Sequence, residues 1–367
     1  MAQRIVVFGA TGYTGELTAR ALVARGTQPI LAARTEARVR ALADELGGLE
    51  WAVADVERPD SVRALVERGD VLVSTVGPFA RWGGPAVQAA IATGAHYLDS
   101  TGEGGFIRDV FERYGGAAQA AGCGLITAFG FDFVPGNLAG ALALRDAGEA
   151  ATSVQIGYFS PGAGSSSMSG GTRASATGVM FARGFAWRGG RLVGERPARH
   201  GRSFELRPGK RAPAVSVAGS EHFALPRVHP GLRDVSVYLG WFGPLSDPMR
   251  ALSAGVSAVT KVPGARDALQ GLFGHFVKGS SGGPDAAARA TSRSLVLAEA
   301  YDASGAQLAQ VRLEGINGYD LTAGFLAWGA EMAAADALKG VGALGPVDGF
   351  GLFELEAGCA EVGLARV

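Results

Sequence analysis

The chain has 367 residues, enough for about two domains with cores of their own. Hydrophobic residues make up 47% and charged residues 19%, a balance that excludes intrinsic disorder. Its 34 Lys and Arg match its 34 Asp and Glu, so no net field draws it to nucleic acid or an anionic membrane.

RIVVFG (4–9) is a β-branched and aromatic run that stops at glycine, and TGELTARALVAR (14–25) carries apolar positions at helical spacing. The pattern strand, tight turn, helix then recurs. QPILAAR (28–34) precedes the helical TEARVRALADELG (35–47), and LEWAVAD (49–55) precedes the helical SVRALVERG. DVLVSTVGP (70–78) reads as a buried strand and GGPAVQAAIATG as a helix, with further strands at HYLDSTG (96–102) and CGLITAFG (123–130). Such alternation with short connections predicts a Rossmann-type, doubly wound parallel sheet, class α/β.

Beyond residue 135 the texture changes. TSVQIGYFS (152–160), RSFELR, VSVAGSEHFA and DVSVYLGWF are strand-like, and a helix is expected over 174–184. Two alternating runs joined at DASGAQ predict a hairpin within 291–316. A second α/β domain with a mixed or antiparallel sheet follows from these strands. LTAGFLAWGAEMAAADAL (321–338) is an apolar helix able to return to the first domain, and GSSGGPDA (279–286) is the expected mobile loop. The expected division is 1–135, 136–316 for substrate and dimerisation, and 317–367 as returning helices.

Gly9, Gly12 and Gly15 follow a strand and open a helix, the context a dinucleotide turn requires. The first glycine permits the turn, the second lets backbone approach a pyrophosphate, and the third lets helix and strand pack closely. Thr11, Tyr13 and Thr14 complete that turn, whose N–H groups face the phosphates. After the second strand stands Arg34, with no acid before Glu36, so a 2′-phosphate is favoured and NADP(H) is the expected cofactor. Arg38 or Arg40 could share that phosphate. Asp55 or the Val56 N–H is expected at the adenine edge, with an N-cap as the alternative for Asp55. Thr75, Val76, Gly77, Pro78 and Phe79 end the fourth strand and should line the nicotinamide half.

Cys123 and Cys359 carry no metal-ligand or redox spacing, and no HExxH, paired-Cys or His cluster supports a metal, so none is expected. No GxSxG elbow supports a hydrolase, and no Tyr has a Lys four residues on. With no signal peptide and no apolar run long enough to span a bilayer, a cytoplasmic protein without an integral membrane segment is expected; the apolar 251–260 leaves peripheral contact open.

Hydride delivery needs a positioned acceptor and a group that polarises or protonates its other end. The candidates are Asp99, Thr101 and Glu103 in one strand-end loop and Asp132 in the next, with helix or turn capping as the alternative for the acids. Ser169, Thr172 and Arg173 could bind a substrate carbonyl or carrier phosphate, and Trp82 could cover the pocket; His96 reads as structural.

The runs VGPFARWGGPAVQAAIATGAHYLDSTGE (76–103), GFDFVPGNL (130–138) and MSGGTRAS (168–175) resemble the saccharopine dehydrogenase-like oxidoreductases, in particular the trans-acting enoyl reductase branch. That resemblance is strong over 1–140 and loose over 150–340. It implies a Rossmann domain with a second α/β domain and reduction of a conjugated C=C in a polyketide- or lipid-like intermediate, small or carrier-bound. The alternatives are C=N reduction or amine oxidation of the saccharopine type, and a non-catalytic NADP-sensing regulator. Phe133 stands where many relatives carry Ser, and no converging basic set for an amino-diacid is located. A homodimer is left open.

Overall fold

The computed structural model describes residues 3–162, 184–241, 243–259 and 282–367, which form two compact units. The first comprises 1–102, 106–135 and 316–365; the second comprises 103–105, 136–315 and 366–367.

The first unit is a parallel sheet of β1 (Ile5–Phe8), β2 (Ile30–Ala33), β3 (Trp51–Val53), β4 (Val71–Ser74), β5 (His96–Asp99) and β6 (Gly124–Ile126). A short strand, Gly342–Ala343, adds parallel to β6. The spatial order is β6-β5-β4-β1-β2-β3, reversing direction between β1 and β4. Val6, Val7, Leu31, Leu72, Val73 and Leu98 are fully buried, because helices cover both faces of a parallel sheet and leave no solvent side.

Each strand of this unit feeds a helix on the sheet's flank. α1 (Tyr13–Ala24) packs against the returning helix Gly318–Ala334, which the sequence pattern places a few residues later, at 321–338. α2 (Glu36–Glu45) follows β2. The helix expected at SVRALVERG shrinks to Pro59–Arg63. Two helices at Gly104–Asp109 and Gly115–Ala121 have no counterpart in the sequence reading.

The second unit holds β7 (Ser153–Phe159), β8 (Phe185–Arg188), β9 (Arg191–Gly194), β10 (Gly201–Arg207), β11 (Lys210–Val217), β12 (Asp234–Leu239), β13 (Ser294–Tyr301) and β14 (Gln307–Gly315). The order is β10-β11-β12-β7-β13-β14, with β12 parallel to β7 and the other neighbours antiparallel, so the sheet is mixed as expected. It curls around Phe159, Phe204, Tyr238, Leu295 and Leu297. Arg202 of β10 consequently reaches Glu299 of β13, and Arg312 of β14 donates to the Leu206 carbonyl at 2.6 Å.

VSVAGSEHFA is not one strand. β11 ends at Val217, and Glu221–Val228 is helical, buried on Ala224 and Leu225. The expected helix 174–184 lies, except for Gly184, outside the described residues, as do 279–281 of the expected loop. Residues 251–259 belong to the helix Ser246–Val259, and no helix among the described residues is long and apolar enough to cross a membrane.

Candidate active site

The site is built on the carboxyl edge of the first unit's sheet, where an open α/β fold leaves a crevice at the reversal of strand order. β1 and β4 flank that reversal, so the turns after Phe8 and Ser74 meet there.

Gly9 sits at φ +90°, a conformation that a side chain resists. A Cβ on Gly15 would lie 2.2 Å from the Gly9 carbonyl oxygen and 2.8 Å from Thr75 Oγ1, so only glycine permits this helix–strand approach. A Cβ on Gly12 would meet nothing closer than the Gly9 carbonyl at 3.2 Å, and it would narrow the open side of the turn. Gly12 is the N-cap of α1 and provides no side-chain cap, so Thr11, Tyr13 and Thr14 present a helix N-terminus free of a competing oxygen from the cap. These features fit a dinucleotide pyrophosphate.

Thr75 holds the turn from below. Its amide donates to the Phe8 carbonyl at 2.9 Å, and its hydroxyl lies 3.2 Å from the carbonyls of both Phe8 and Gly9. Val76 packs on the same glycine. The Gly77–Pro78 peptide is cis, and Pro78 begins a short helix whose first residue, Phe79, is buried against Phe106 at 5.6 Å between ring centroids. Trp82 is half-buried beneath the Arg81 guanidinium.

Arg34 is exposed immediately after buried Ala33 and enters no ion pair among the described residues. Arg38 donates to the Thr11 carbonyl at 3.3 Å, which brings a second guanidinium beside the glycine turn. Two cations and no acid at the end of β2 suit a 2′-phosphate. Arg34→Asp should weaken NADPH binding about 10- to 100-fold and leave NADH nearly unaffected, read as dissociation constants by fluorescence titration. An unchanged NADPH/NADH ratio would remove Arg34 from this role. Asp55 is engaged locally, with Oδ1 accepting from the Glu57 amide at 3.0 Å, and Val56 is half-buried beside it.

The two loop acids differ. Asp99 is fully buried at the end of β5, and its carboxylate accepts from the Thr101 amide at 2.8 Å, the Ala128 amide at 2.9 Å and the Thr127 hydroxyl at 2.7 Å. Burial raises its pKa to about 6, against the pull of those donors. Thr101 is also fully buried, and Glu103, also buried, is counted with the second unit.

Asp132 lies in the next loop, and among the described residues no group donates a hydrogen bond to its Oδ1. That Oδ1 is shut from solvent, and Oδ2 faces Gly102, 3.4 Å from where a Cβ would sit. Burial alone raises its pKa to about 7. His96 accepts the Gly124 amide at 3.0 Å and is a structural tie between strands.

Sequence reasoning missed the part played by the returning helix. Tyr319 meets Tyr13 edge-on with ring centroids 5.2 Å apart, and Glu331 accepts from Arg25 Nε and from the Thr27 hydroxyl, both at 2.6 Å. α1 and Gly318–Ala334 therefore run parallel, with both N-termini at the cofactor edge. Three residues beyond Tyr319, Thr322 accepts the Phe131 amide at 3.0 Å. Residues i and i+3 share a helix face, so the Asp132 loop and the start of α1 lie about one helical turn apart. The signal in the sequence was Asn317, the cap that starts this helix by accepting from the Tyr319 and Asp320 amides. Ser169, Thr172 and Arg173 lie outside the described residues, among which no cluster of His, Cys, Asp and Glu forms a metal site.

Residues 5–123 match the family described as saccharopine dehydrogenase NADP binding domain. Over 140 residues the chain is 40% identical to a putative trans-acting enoyl reductase of Mycobacterium tuberculosis, an alignment covering 36% of this chain and 33% of that protein. It is 39% identical to a trans-acting enoyl reductase of Mycobacterium ulcerans, over 36% of this chain and 34% of the relative. The chain thus spans about a third of the length of these curated relatives. Apo saccharopine dehydrogenase (L-Glu forming) from Saccharomyces cerevisiae shares the fold, with a TM-score of 0.59 at 13% identity over 100% of this chain and 99% of that one. Residues 5–123 are thus similar to the saccharopine dehydrogenase NADP binding domain, and that similarity covers about a third of the chain.

Proposed function

We propose that this chain is an NADPH-dependent reductase of a conjugated C=C in a lipid- or polyketide-like intermediate, small or carrier-bound, with Asp132 as the proton donor. The observation that carries it is the Asp132 carboxyl, whose Oδ1 is buried without a partner among the described residues and whose pKa of about 7 leaves much of it protonated at neutral pH. When bound, NADPH supplies a hydride, the electron pair for one carbon of the double bond. Asp132 gives its proton to the other carbon and is recharged from solvent. Gly9, Gly12, Gly15 and Thr75 hold the turn that orients the cofactor, and Arg34 with Arg38 selects its 2′-phosphate. Residues 136–316 are left to choose the acceptor, and the names of the mycobacterial relatives favour an enoyl group over an imine.

The test is NADPH absorbance with a panel of enoyl thioesters, enones and imines. Consumption with enoyl acceptors supports the reading, and consumption with imines alone replaces it by C=N chemistry. Tight NADPH binding with no acceptor consumed would leave a cofactor-sensing protein instead.

A further inference from the structure

We infer that Thr322, on the returning helix, is the positioning residue that sets the Asp132 carboxyl, an inference that rests on Asp132 being the proton donor. Five amides of the loop 127–134 are held by hydrogen bonds. Asp99 fixes the Ala128 amide through its carboxylate and the Phe129 amide through its carbonyl, at 2.9 and 2.7 Å. Phe133 donates to Ala128 and Val134 to Gly130, both at 3.0 Å, so those two holds lie within the loop. The Phe131 amide, directly before Asp132, is held from 191 residues away by Thr322 Oγ1.

The hydroxyl is oriented for this. It donates back to the Gly318 carbonyl at 2.7 Å, which commits its proton and turns a lone pair to Phe131. Glycines on both sides permit the approach. A Cβ on Gly130 would lie 3.0 Å from Thr322 Cγ2, and one on Gly318 would lie 2.9 Å from the Phe131 ring. Gly318 and Thr322 are four residues apart and face the loop together. Phe131 itself is buried, so losing the acceptor strands an amide that water does not readily rescue. A loop free to shift by a fraction of an ångström would keep the carboxyl and lose its aim.

The experiment is Thr322→Val in the full chain, with Thr322→Ser as the conservative partner. Thr322→Val should lower kcat about 10- to 100-fold while NADPH affinity and the acceptor KM stay near wild type. It should also move the basic limb of the kcat–pH profile and speed hydrogen exchange at the Phe131 amide. Thr322→Ser keeps the oxygen and should restore all three. If Thr322→Val does not fold, Thr322→Ala is read in the same way. Wild-type turnover, pH profile and Phe131 protection in the valine variant would overturn the inference. If Asp132→Asn is inactive in parallel, only the role of Thr322 fails; a fully active Asp132→Asn removes the proton-donor reading beneath it.

Discussion

Asp132→Asn should lower kcat by about 100- to 10,000-fold while NADPH binds as in the wild type. Asparagine keeps the shape and removes the transferable proton, so the loss falls on the chemical step rather than on cofactor affinity. The wild-type kcat should decline above pH 7, about tenfold per unit, because only the protonated carboxyl donates. Stability should also fall as the pH rises, but over the range below 7. The folded pKa, about 7, lies above the ordinary value of 3.8, so folding disfavours the ionised form. The stability associated with this group is complete below about pH 4 and is lost as the pH rises through 7. Asp132→Asn should therefore match or exceed the wild-type Tm at pH 8, and the advantage should vanish at pH 4. Normal turnover in this variant, or a Tm loss of many degrees at pH 8, would show that the carboxyl serves the fold rather than the reaction.

The first unit's architecture was legible because each strand is a short apolar run ended by glycine or a turn residue and followed by helical spacing. Both faces of such a sheet are buried, so the strands announce themselves by composition alone. The missed elements are those in which local pattern is weak or misleading. Gly342–Ala343 is too short to carry any periodicity. β8 and β9 are four residues each, and their turn is Gly189-Gly190, both at positive φ, a hairpin signal that was present in the sequence. Residues 221–224 read as strand because they close the run VSVAGSEHFA begun by β11, and their helical state is set by what they bury.

The sequence marks Asp99 and Asp132 alike as strand-end candidates, and their surroundings in the fold differ. Asp99 ends a parallel strand and Asp132 stands in the loop after one, and within four residues only the Thr101 amide, which Asp99 accepts, separates them. The rest of the distinction comes from partners far away in sequence. Thr127 and Ala128, 28 and 29 residues on, satisfy Asp99. Among the described residues no comparable donors reach Asp132 Oδ1, and Thr322 holds the backbone beside it. Glu331 and Tyr319, which fix the returning helix along α1, also belong to contacts about 300 residues long. Local periodicity carries no trace of such pairings.

Asp99→Ala should destabilise the fold by about 3–5 kcal/mol, seen as a large fall in Tm. The substitution leaves two buried amides and a buried hydroxyl without their acceptor, and each such group costs about 1–3 kcal/mol. Asp99→Asn is the sharper comparison. Both amides converge on Oδ1, which the carboxamide keeps as an oxygen, and the Thr127 hydroxyl can turn to accept from the new NH₂. The asparagine variant should therefore fold with a modest Tm loss and retain turnover within about tenfold of wild type. Asp132→Asn should show the reverse, with stability kept and turnover lost. Two aspartates in neighbouring loops, given the same isosteric change, then separate a carboxylate that ties loops together from a carboxyl that donates a proton. If Asp99→Asn loses as much turnover as Asp132→Asn while keeping its Tm, proton transfer passes through Asp99 as well, and the two acids act as one relay.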